Sequence, residues 1–422
     1  MTRRRRPIPW ALLLLATISL LCLAYIFGLA WLQAKHWPMV TPADLYMTRL
    51  VDVTIFLWLF WVGSSIGSFL NVVAWRMPRG ESVNGRSYCP RCKHQLKARD
   101  NFPVFGWLAL RGRCRTCRLP ISPRYPIVEA AVGISLTLVG LAEIYRLGLP
   151  FQSSHGHGGP LWTPLVSTTT LAVLFYHTLA ISFSWAMGLI RMDRQQLPRK
   201  LAITSLAVLT IGMLAYPAVM IVPWQTRVPE FWRGDGLRVD ALMRILTAFA
   251  AATFYARALG KGLCRDADLK LDPLGQSTAR LFDLIAILSV PAIIVGWQAV
   301  AGVLIVASVL SILLRPILTL PTDMLGRFAV AIPIALSLHL AFWRQLDGLW
   351  FWPSCDSSPG VILVAGAIVL VSPVWLREPV ANERGGAVFN PDGEGEVDKR
   401  TPSSDPEGNS QNHSSEKTIP KN

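Results

Sequence analysis

Long apolar segments alternate with short polar segments along most of the chain. Each apolar run is near the roughly 20 residues that a helix needs to cross about 30 Å of hydrocarbon. The pattern predicts ten membrane spans, at about 9–32, 49–73, 125–147, 162–190, 200–222, 241–259, 283–297, 299–314, 324–343 and 360–376. The two short spans on either side of Gly296 predict a re-entrant or tightly turned unit. We therefore expect an all-α polytopic membrane protein.

The composition supports a membrane protein, because 52% of the 422 residues are hydrophobic and only 16% are charged. A net charge of +15 would suggest a nucleic-acid partner in a soluble protein. Here the basic residues lie between apolar runs, so membrane orientation explains them and no nucleic-acid partner is expected. The first apolar run follows Arg3 to Arg6, is long for a signal peptide and lacks a convincing cleavage site. We expect a retained helix that starts in the cytoplasm.

The basic residues also orient the predicted spans. Residues 76–124 contain 12 Lys and Arg against Glu81 and Asp100, and two spans before them return the chain to the cytoplasm. This agrees with the positive-inside rule, as do the basic loops 191–200 and 261–280. Residues 377–422 are rich in Gly, Pro, Ser, Asn, Glu and Lys, which is typical of a disordered tail. Both termini are therefore expected in the cytoplasm.

Four cysteines in the first basic loop predict a metal site. They form two CxxC pairs with 21 residues between them, Cys89 with Cys92 and Cys114 with Cys117. Two such pairs indicate tetrahedral zinc, although the gap is slightly longer than the usual range of about 15–20 residues, which a flexible loop tolerates at little entropic cost. Four thiolates leave no position for water, which indicates a structural Zn²⁺. Two disulfides or four unrelated thiols are the alternatives. A reducing cytoplasm favours zinc over disulfides.

Several motifs around these cysteines occur in a fixed order. They are Gly67-Ser68-Phe69-Leu70-Asn71, Arg76-Met77-Pro78, the first cysteine pair, Asp100-Asn101-Phe102-Pro103, Leu110-Arg111-Gly112-Arg113 before the second pair, and Ile121-Ser122-Pro123-Arg124-Tyr125-Pro126-Ile127-Val128-Glu129. In these residues the chain resembles the N-terminal region of the type IV prepilin peptidases, the leader peptidase/N-methyltransferase family. The resemblance implies an aspartic endopeptidase of the bacterial inner membrane. Its substrates would be prepilin or pseudopilin precursors. The resemblance alone implies N-methylation with S-adenosylmethionine.

The family's first catalytic aspartate is not at its expected position. In the family it lies seven residues before a proline, and here Pro198 matches that proline but Arg191 stands seven residues earlier. The nearest carboxylate is Asp193. Two positions rotate a helical side chain by about 200°, so Asp193 would face away from the expected site. Asp193 is either a relocated catalytic residue or a loop residue paired with a nearby arginine.

The second family motif, Gly-x-Gly-Asp-x-Lys, is also altered. The best match is Arg265-Asp266-Ala267-Asp268-Leu269-Lys270, in which both glycines are missing. Asp283 is the rival for the aspartate position, because it lies 13 residues before Gly296, near which the family has a recognisable feature. It could instead be a helix cap. In the family, one carboxylate activates water while the other, protonated, polarises the scissile carbonyl.

Two functional hypotheses follow. The chain is either a divergent peptidase with catalytic Asp193 and Asp268 (rival Asp283), or a non-catalytic zinc-bearing paralogue that binds pilin-like helices or assembly partners. A transporter is disfavoured, because there is no ladder of charges within the membrane. The expected domains are an extra transmembrane helix and outer loop over 1–47, a peptidase-like N-terminal region over 48–130, a peptidase-like transmembrane domain over 131–376 and the tail over 377–422.

Overall fold

A computed structural model describes residues 10–89, 91–150, 163–224, 236–264, 275–315 and 322–377. These residues are almost entirely helical, with two isolated β-bridges and no longer strand among them. The predicted tail and the motif around Asp268 lie outside the described residues. The α-helices are α1 (Trp10–Leu23), α2 (Ala30–His36), α3 (Pro42–Arg76), α4 (Phe105–Ala109), α5 (Arg124–Ile144), α6 (Thr168–Met192), α7 (Arg199–Ala215), α8 (Gly236–Leu263), α9 (Gln276–Leu313), α10 (Met324–Ala341), α11 (Trp343–Asp347) and α12 (Pro359–Val371).

Seven helical segments in the described residues are long and apolar enough to cross a membrane. Large apolar side chains such as Leu20, Phe175 and Leu363 are exposed on the helix surfaces, as expected for residues that face lipid. The most buried of these segments lie in α6, α9 and α10, which form the centre of the bundle. The prediction of an all-α polytopic membrane protein is confirmed.

The first helical segment packs against α3. A π-helical turn, Ala24–Leu29, joins α1 to α2, and the rings of Phe27 and Tyr46 meet edge to face at 5.0 Å. The buried carboxylate of Asp52 accepts a hydrogen bond from the Tyr25 hydroxyl at 3.3 Å. It also forms an ion pair with Arg49 at 2.7 Å. The Tyr25 hydrogen bond joins the extra helix to α3, and the Arg49 pair within α3 neutralises Asp52, because an unpaired carboxylate in an apolar environment is costly.

Helices α3 and α5 approach each other closely through glycine. A Cβ atom added at Gly67 would lie 2.9 Å from the Cα atom of Glu129, and one added at Gly63 would lie 3.0 Å from the Cα atom of Gly133. Larger side chains at these positions would push the two helices apart. The close packing brings together the two ends of the loop that contains the four cysteines. Residues 77–123 are called the cysteine loop below.

Helix α9 reverses direction at Gly296, where the backbone has φ 85° and ψ 164°. Asp283 and Asp323 both contact the side chain of Arg191. If α9 were straight, Leu313 would lie about 45 Å beyond Asp283 at 1.5 Å per residue. The ten residues from there to Asp323 span at most about 35 Å. A straight α9 would thus require an almost fully extended chain from Leu313 to Asp323. The non-helical backbone at Gly296 instead turns the chain, in agreement with the prediction of a tightly turned unit.

A buried arginine holds this turn together. The Arg244 guanidinium, on α8, donates hydrogen bonds to the carbonyls of Ile293 (3.1 Å), Ile294 and Val222 (2.7 Å). The break at Gly296 prevents the first two carbonyls from completing the helical pattern. In a bilayer, which offers no water, such carbonyls need another donor, and Arg244 supplies it.

Candidate functional site

The two cysteine pairs form equivalent knuckles. In the first, the N–H group of Cys89 donates to the His94 carbonyl and the N–H group of Lys93 donates to the Cys89 carbonyl, both at 2.9 Å. Lys93 has a positive φ of 56°, which closes the turn beneath the sulfurs. The second knuckle repeats these bonds and the positive φ at the corresponding residues, Cys114, Arg118 and Leu119.

The four sulfur atoms have the geometry of a tetrahedral metal site. The Sγ atoms of Cys89 and Cys117 are 4.0 Å apart, those of Cys92 and Cys114 are 3.9 Å apart, and all four lie within 4.8 Å of one another. Zn–S bonds of about 2.3 Å in a tetrahedron place sulfurs about 3.8 Å apart, whereas a disulfide needs about 2.05 Å. All four thiols are free. These cysteines therefore fit Zn²⁺ and not disulfides.

The backbone around the second knuckle favours a thiolate. A hydrogen bond from the Cys117 N–H group lowers the pKa of Cys114 to about 7, against the opposing effect of burial. Metal binding requires deprotonated sulfur, so this N–H group prepares Cys114 as a ligand. The four-thiolate site leaves no open coordination position and would stabilise the loop without taking part in a reaction.

Two arginines fix the cysteine loop. Arg115 forms a bidentate ion pair with Asp100, with a shortest N–O distance of 2.6 Å, and its guanidinium holds the pKa of Asp100 below the usual range. Buried Arg76, at the end of α3, donates to the carbonyls of Ser82, Asn84 and Arg86. Arg115 and Arg76 therefore have structural partners inside the loop.

Asp193, the first predicted catalytic residue, is bound by an arginine from another helix. Its two carboxylate oxygens accept hydrogen bonds from Arg124 Nη1 (2.6 Å) and Nη2 (2.9 Å). Arg124 is the first residue of α5, immediately after the cysteine loop. Asp193 therefore lies on the same side of the bundle as the four cysteines, which is called the cysteine-loop face below.

Arg191 points elsewhere and lies at the centre of a buried charge cluster. Its Nη1 is 3.5 Å from Asp283 Oδ2 and its Nη2 is 3.2 Å from Asp323 Oδ2. Asp283 also accepts from the Leu197 N–H group at 3.2 Å, and Asp323 is 3.1 Å from Arg280. The different partners of Arg191 and Asp193 agree with the rotation of about 200° between them. We call Arg191, Arg280, Asp283 and Asp323 the charge cluster.

The charge cluster does not have the arrangement of a hydrolytic carboxylate pair. Such a pair needs one carboxylate protonated and one ionised, with a water between them. In the charge cluster the Arg191 guanidinium instead contacts both carboxylates, within 3.5 Å of Asp283 and of Asp323. In the structure, Asp283 forms an ion pair with Arg191, and Asp193 forms one with Arg124. Asp268 lies outside the described residues.

Asp323 is not among the site residues predicted from the sequence. Its carboxylate accepts from the Gly326 N–H group at 2.8 Å, which caps the N-terminus of α10. An aspartate at the start of an apolar run is a recognisable capping signal. Its pairing with Arg191, 132 residues away, has no local signature.

Comparison with known proteins identifies the region around the cysteines. Residues 61–142 match the model of the bacterial peptidase A24 N-terminal domain. No solved structure matches the chain. This match confirms the resemblance of the N-terminal region, and residues 61–142 include all four cysteines and none of the candidate catalytic aspartates.

Curated relatives match over a similar length. A "prepilin leader peptidase/N-methyltransferase" of Myxococcus xanthus is 48% identical over 95 residues, which are 22% of this chain and 27% of the relative. One of the same name from Klebsiella pneumoniae is 45% identical over 95 residues, 20% of this chain and 42% of the relative. A "type 4 prepilin-like proteins leader peptide-processing enzyme" of Escherichia coli is 43% identical over 98 residues, 19% of this chain and 36% of the relative. The chain thus matches well under half the length of these relatives.

Proposed function

We propose that this chain, which carries the N-terminal domain of the bacterial prepilin peptidases in residues 61–142, acts in leader-peptide processing of type IV prepilin-like precursors. The observation that carries the proposal is the complete four-cysteine loop, held between the close-packed α3 and α5. Three relatives named for this processing are 43–48% identical over the matched residues. The precursors would offer an apolar helix to the bilayer and a short basic leader to the cytoplasm.

The proposed orientation places the reaction at the cytoplasmic side of the inner membrane. The cysteine loop and its borders carry 12 Lys and Arg against two acidic residues, which supports a cytoplasmic position. Asp193 lies on the same cysteine-loop face, because it pairs with Arg124. In this orientation both termini are also cytoplasmic.

Cleavage would use Asp193 and Asp268, with Asp283 as the rival for the second position. Two carboxylates must approach one water to hydrolyse a peptide bond. Asp193 would first have to leave Arg124, or Asp283 would have to leave Arg191. A precursor helix that binds the bundle would have to cause that rearrangement, because the arginine contacts are made without it.

A second candidate function is favoured by one observation, the position of Arg191 between Asp283 and Asp323. An arginine in place of the first family aspartate leaves a charge-balanced cluster with no free carboxylate pair. In this function the chain binds pilin-like helices or assembly partners without cutting them. The zinc loop and the bundle would then serve recognition alone.

The N-methyltransferase names of two relatives imply S-adenosylmethionine, which donates a methyl group to an amine. The sequence has no Gly-rich nucleotide loop, so its residues do not independently fit the nucleoside. We therefore propose this cofactor on the resemblance alone and derive no step through it.

The two functions separate when a tagged prepilin is co-expressed with the full chain and its N-terminus is read by mass spectrometry. Leader loss with the wild type, abolished by Asp268→Asn and kept by Asp356→Asn, would support a peptidase. Asp356 is exposed and lies between α11 and α12, which makes it a matched control. An intact precursor that co-purifies with the chain would support the second function. An intact precursor that does not co-purify contradicts both.

A further inference from the structure

A cavity of about 140 Å³ lies under the cysteine loop, between the end of α3 and the start of α5. At 10–15 Å³ per water it has room for roughly ten water molecules. Its walls include the rings of Trp75, Tyr88, Phe102, Trp107 and Tyr125. It is therefore an aromatic pocket at the level where the α3 and α5 helices meet the loop.

The ionisable residues that line the cavity are Arg76, Asp100 and Glu129. The Arg76 guanidinium is engaged by loop carbonyls, and Asp100 is neutralised by Arg115. Glu129 Oε2 accepts from the Val104 N–H group at 2.7 Å. Within the described residues no cation forms an ion pair with Glu129. It is the carboxylate of this cavity that lacks a counter-ion.

Glu129 is the lining charge that is left without an opposite charge. Asp100 is paired with Arg115, and the Arg76 guanidinium lies over the Tyr88 ring, 5.2 Å from its centroid. Cys89 also lines the cavity, and four thiolates around Zn²⁺ would carry a net charge of −2. A cavity with aromatic walls and a carboxylate without a counter-ion favours an organic cation, through charge pairing and cation–π attraction.

We propose that this cavity binds an alkylammonium group, with the Glu129 carboxylate as its counter-ion. The Val104 N–H group donates to Oε2, and the Ser68 side chain, which also lines the cavity, hydrogen-bonds to the same carboxylate. The ammonium group would lie against this carboxylate, while the rings pack against its alkyl chain. The identity of the ligand's source rests on the proposed function. The source is a lysine side chain of a basic leader or the N-terminal amine of a processed precursor.

The test measures binding of n-butylammonium to the zinc-loaded full chain in detergent, by saturation-transfer NMR titration. Glu129→Gln keeps an acceptor for the Val104 N–H group but removes the charge, and it should weaken binding about ten-fold or more. Glu81→Gln is the matched control, because Glu81 is an exposed carboxylate of the same loop, and it should bind as the wild type does. Zinc content and a single elution peak establish that each variant is folded.

A comparison on the wild type alone keeps the test decisive if Glu129→Gln does not fold. The neutral alcohol 1-butanol has the same number of heavy atoms and a similar shape, and n-butylammonium should bind at least ten-fold more tightly. Equal affinity of the two probes, equal affinity of wild type and Glu129→Gln, or no saturation transfer to n-butylammonium would each overturn the proposal.

Peptides then identify the source of the ammonium group. If a leader lysine enters the cavity, a leader peptide should displace n-butylammonium, and replacement of its lysines by norleucine should remove this effect. If the amine of the processed precursor enters it, a peptide with the N-terminal sequence of that precursor should displace n-butylammonium, and acetylation of its N-terminus should remove the effect. If n-butylammonium binds but a precursor is neither processed nor co-purified, the cavity is retained and the proposed function fails. If a precursor is processed but n-butylammonium does not bind, the function is retained and the cavity proposal fails.

Discussion

Replacing Arg191 with glutamine should destabilise the protein by removing the cation at the centre of the charge cluster. The Arg191 side chain is 1% exposed, and Asp283 and Asp323 are 9% and 4% exposed. Loss of one partner from a buried pair costs about 3–5 kcal/mol, because the remaining charge is left without compensation. Asp323 keeps Arg280 and the Gly326 N–H group. Most of the lost stabilisation is therefore that of the Asp283 carboxylate, which keeps only the hydrogen bond from the Leu197 N–H group.

A double-mutant cycle assigns this loss to the ion pair. Arg191→Gln with Asp283→Asn removes both charges, so the double variant should be more stable than Arg191→Gln alone, with a coupling energy of about 2 kcal/mol. Arg280→Gln is the control, since the Arg280 side chain is 31% exposed and its pairing is worth about 1 kcal/mol or less.

The free energies of unfolding come from SDS titrations of the purified chain in mixed micelles, followed by tryptophan fluorescence. A loss below about 1 kcal/mol for Arg191→Gln, or single effects that add within about 0.5 kcal/mol, would refute the view that Arg191 and Asp283 are a coupled buried pair. Cleavage measured on the same variants shows whether release of Asp283 restores hydrolysis.

Four further outcomes are expected. The double variant Cys89→Ser with Cys117→Ser should lose stoichiometric zinc in metal analysis. The control Cys355→Ser, on the segment after α11, should retain it. Retained zinc in the double variant would contradict the four-cysteine metal site. Gly296→Ala should lower the melting temperature by straining the φ of 85°, at a cost of about 1–2 kcal/mol. Gly360→Ala should not, because an added Cβ atom there would lie 3.9 Å from Ser358 Oγ, an ordinary contact distance. In the folded protein, Arg115 keeps the pKa of Asp100 below its ordinary value near 3.9. The stabilisation by the Asp100–Arg115 ion pair is therefore complete above about pH 3.9 and is lost as the pH falls through the pKa that Asp100 has in the folded protein. The stability difference between wild type and Asp100→Asn should therefore shrink below about pH 4 in unfolding titrations, and a difference that grows there would contradict the pairing. Arg124→Gln should lower stability by about 1 kcal/mol or less in the same SDS titrations, because both Arg124 and Asp193 are partly exposed.

The predictions that rest on local sequence patterns agree with the structure. The spacing of the four cysteines predicted a site that the sulfur distances fit, because each CxxC turn brings its own two sulfurs together. The short apolar runs beside Gly296 predicted the reversal of α9, since a glycine at positive φ is a local signal. The helical phase of Arg191 and Asp193 was also predictable, from 3.6 residues per turn.

Contacts between distant residues were not predictable in the same way. Arg124 and Asp193 are 69 residues apart, and Arg191 and Asp323 are 132 apart. Their pairing depends on which helices are neighbours, and hydropathy does not contain that information. Asp193 was expected to pair with Arg191 or Arg194 if it was not catalytic, and its partner is Arg124. The catalytic assignment of Asp193, Asp268 and Asp283 remains a prediction.

The contact between Arg244 and the α9 turn constrains the order in which the chain enters the bilayer. The Ile293 and Ile294 carbonyls need the Arg244 side chain, and each would cost several kcal/mol if it reached lipid alone. The Arg244 charge likewise needs those carbonyls when it is buried. Helix α8 is synthesised first, so it has to remain at the translocation machinery until both parts of α9 have been synthesised. We expect these three membrane segments to leave that machinery together, as one cooperative unit of insertion.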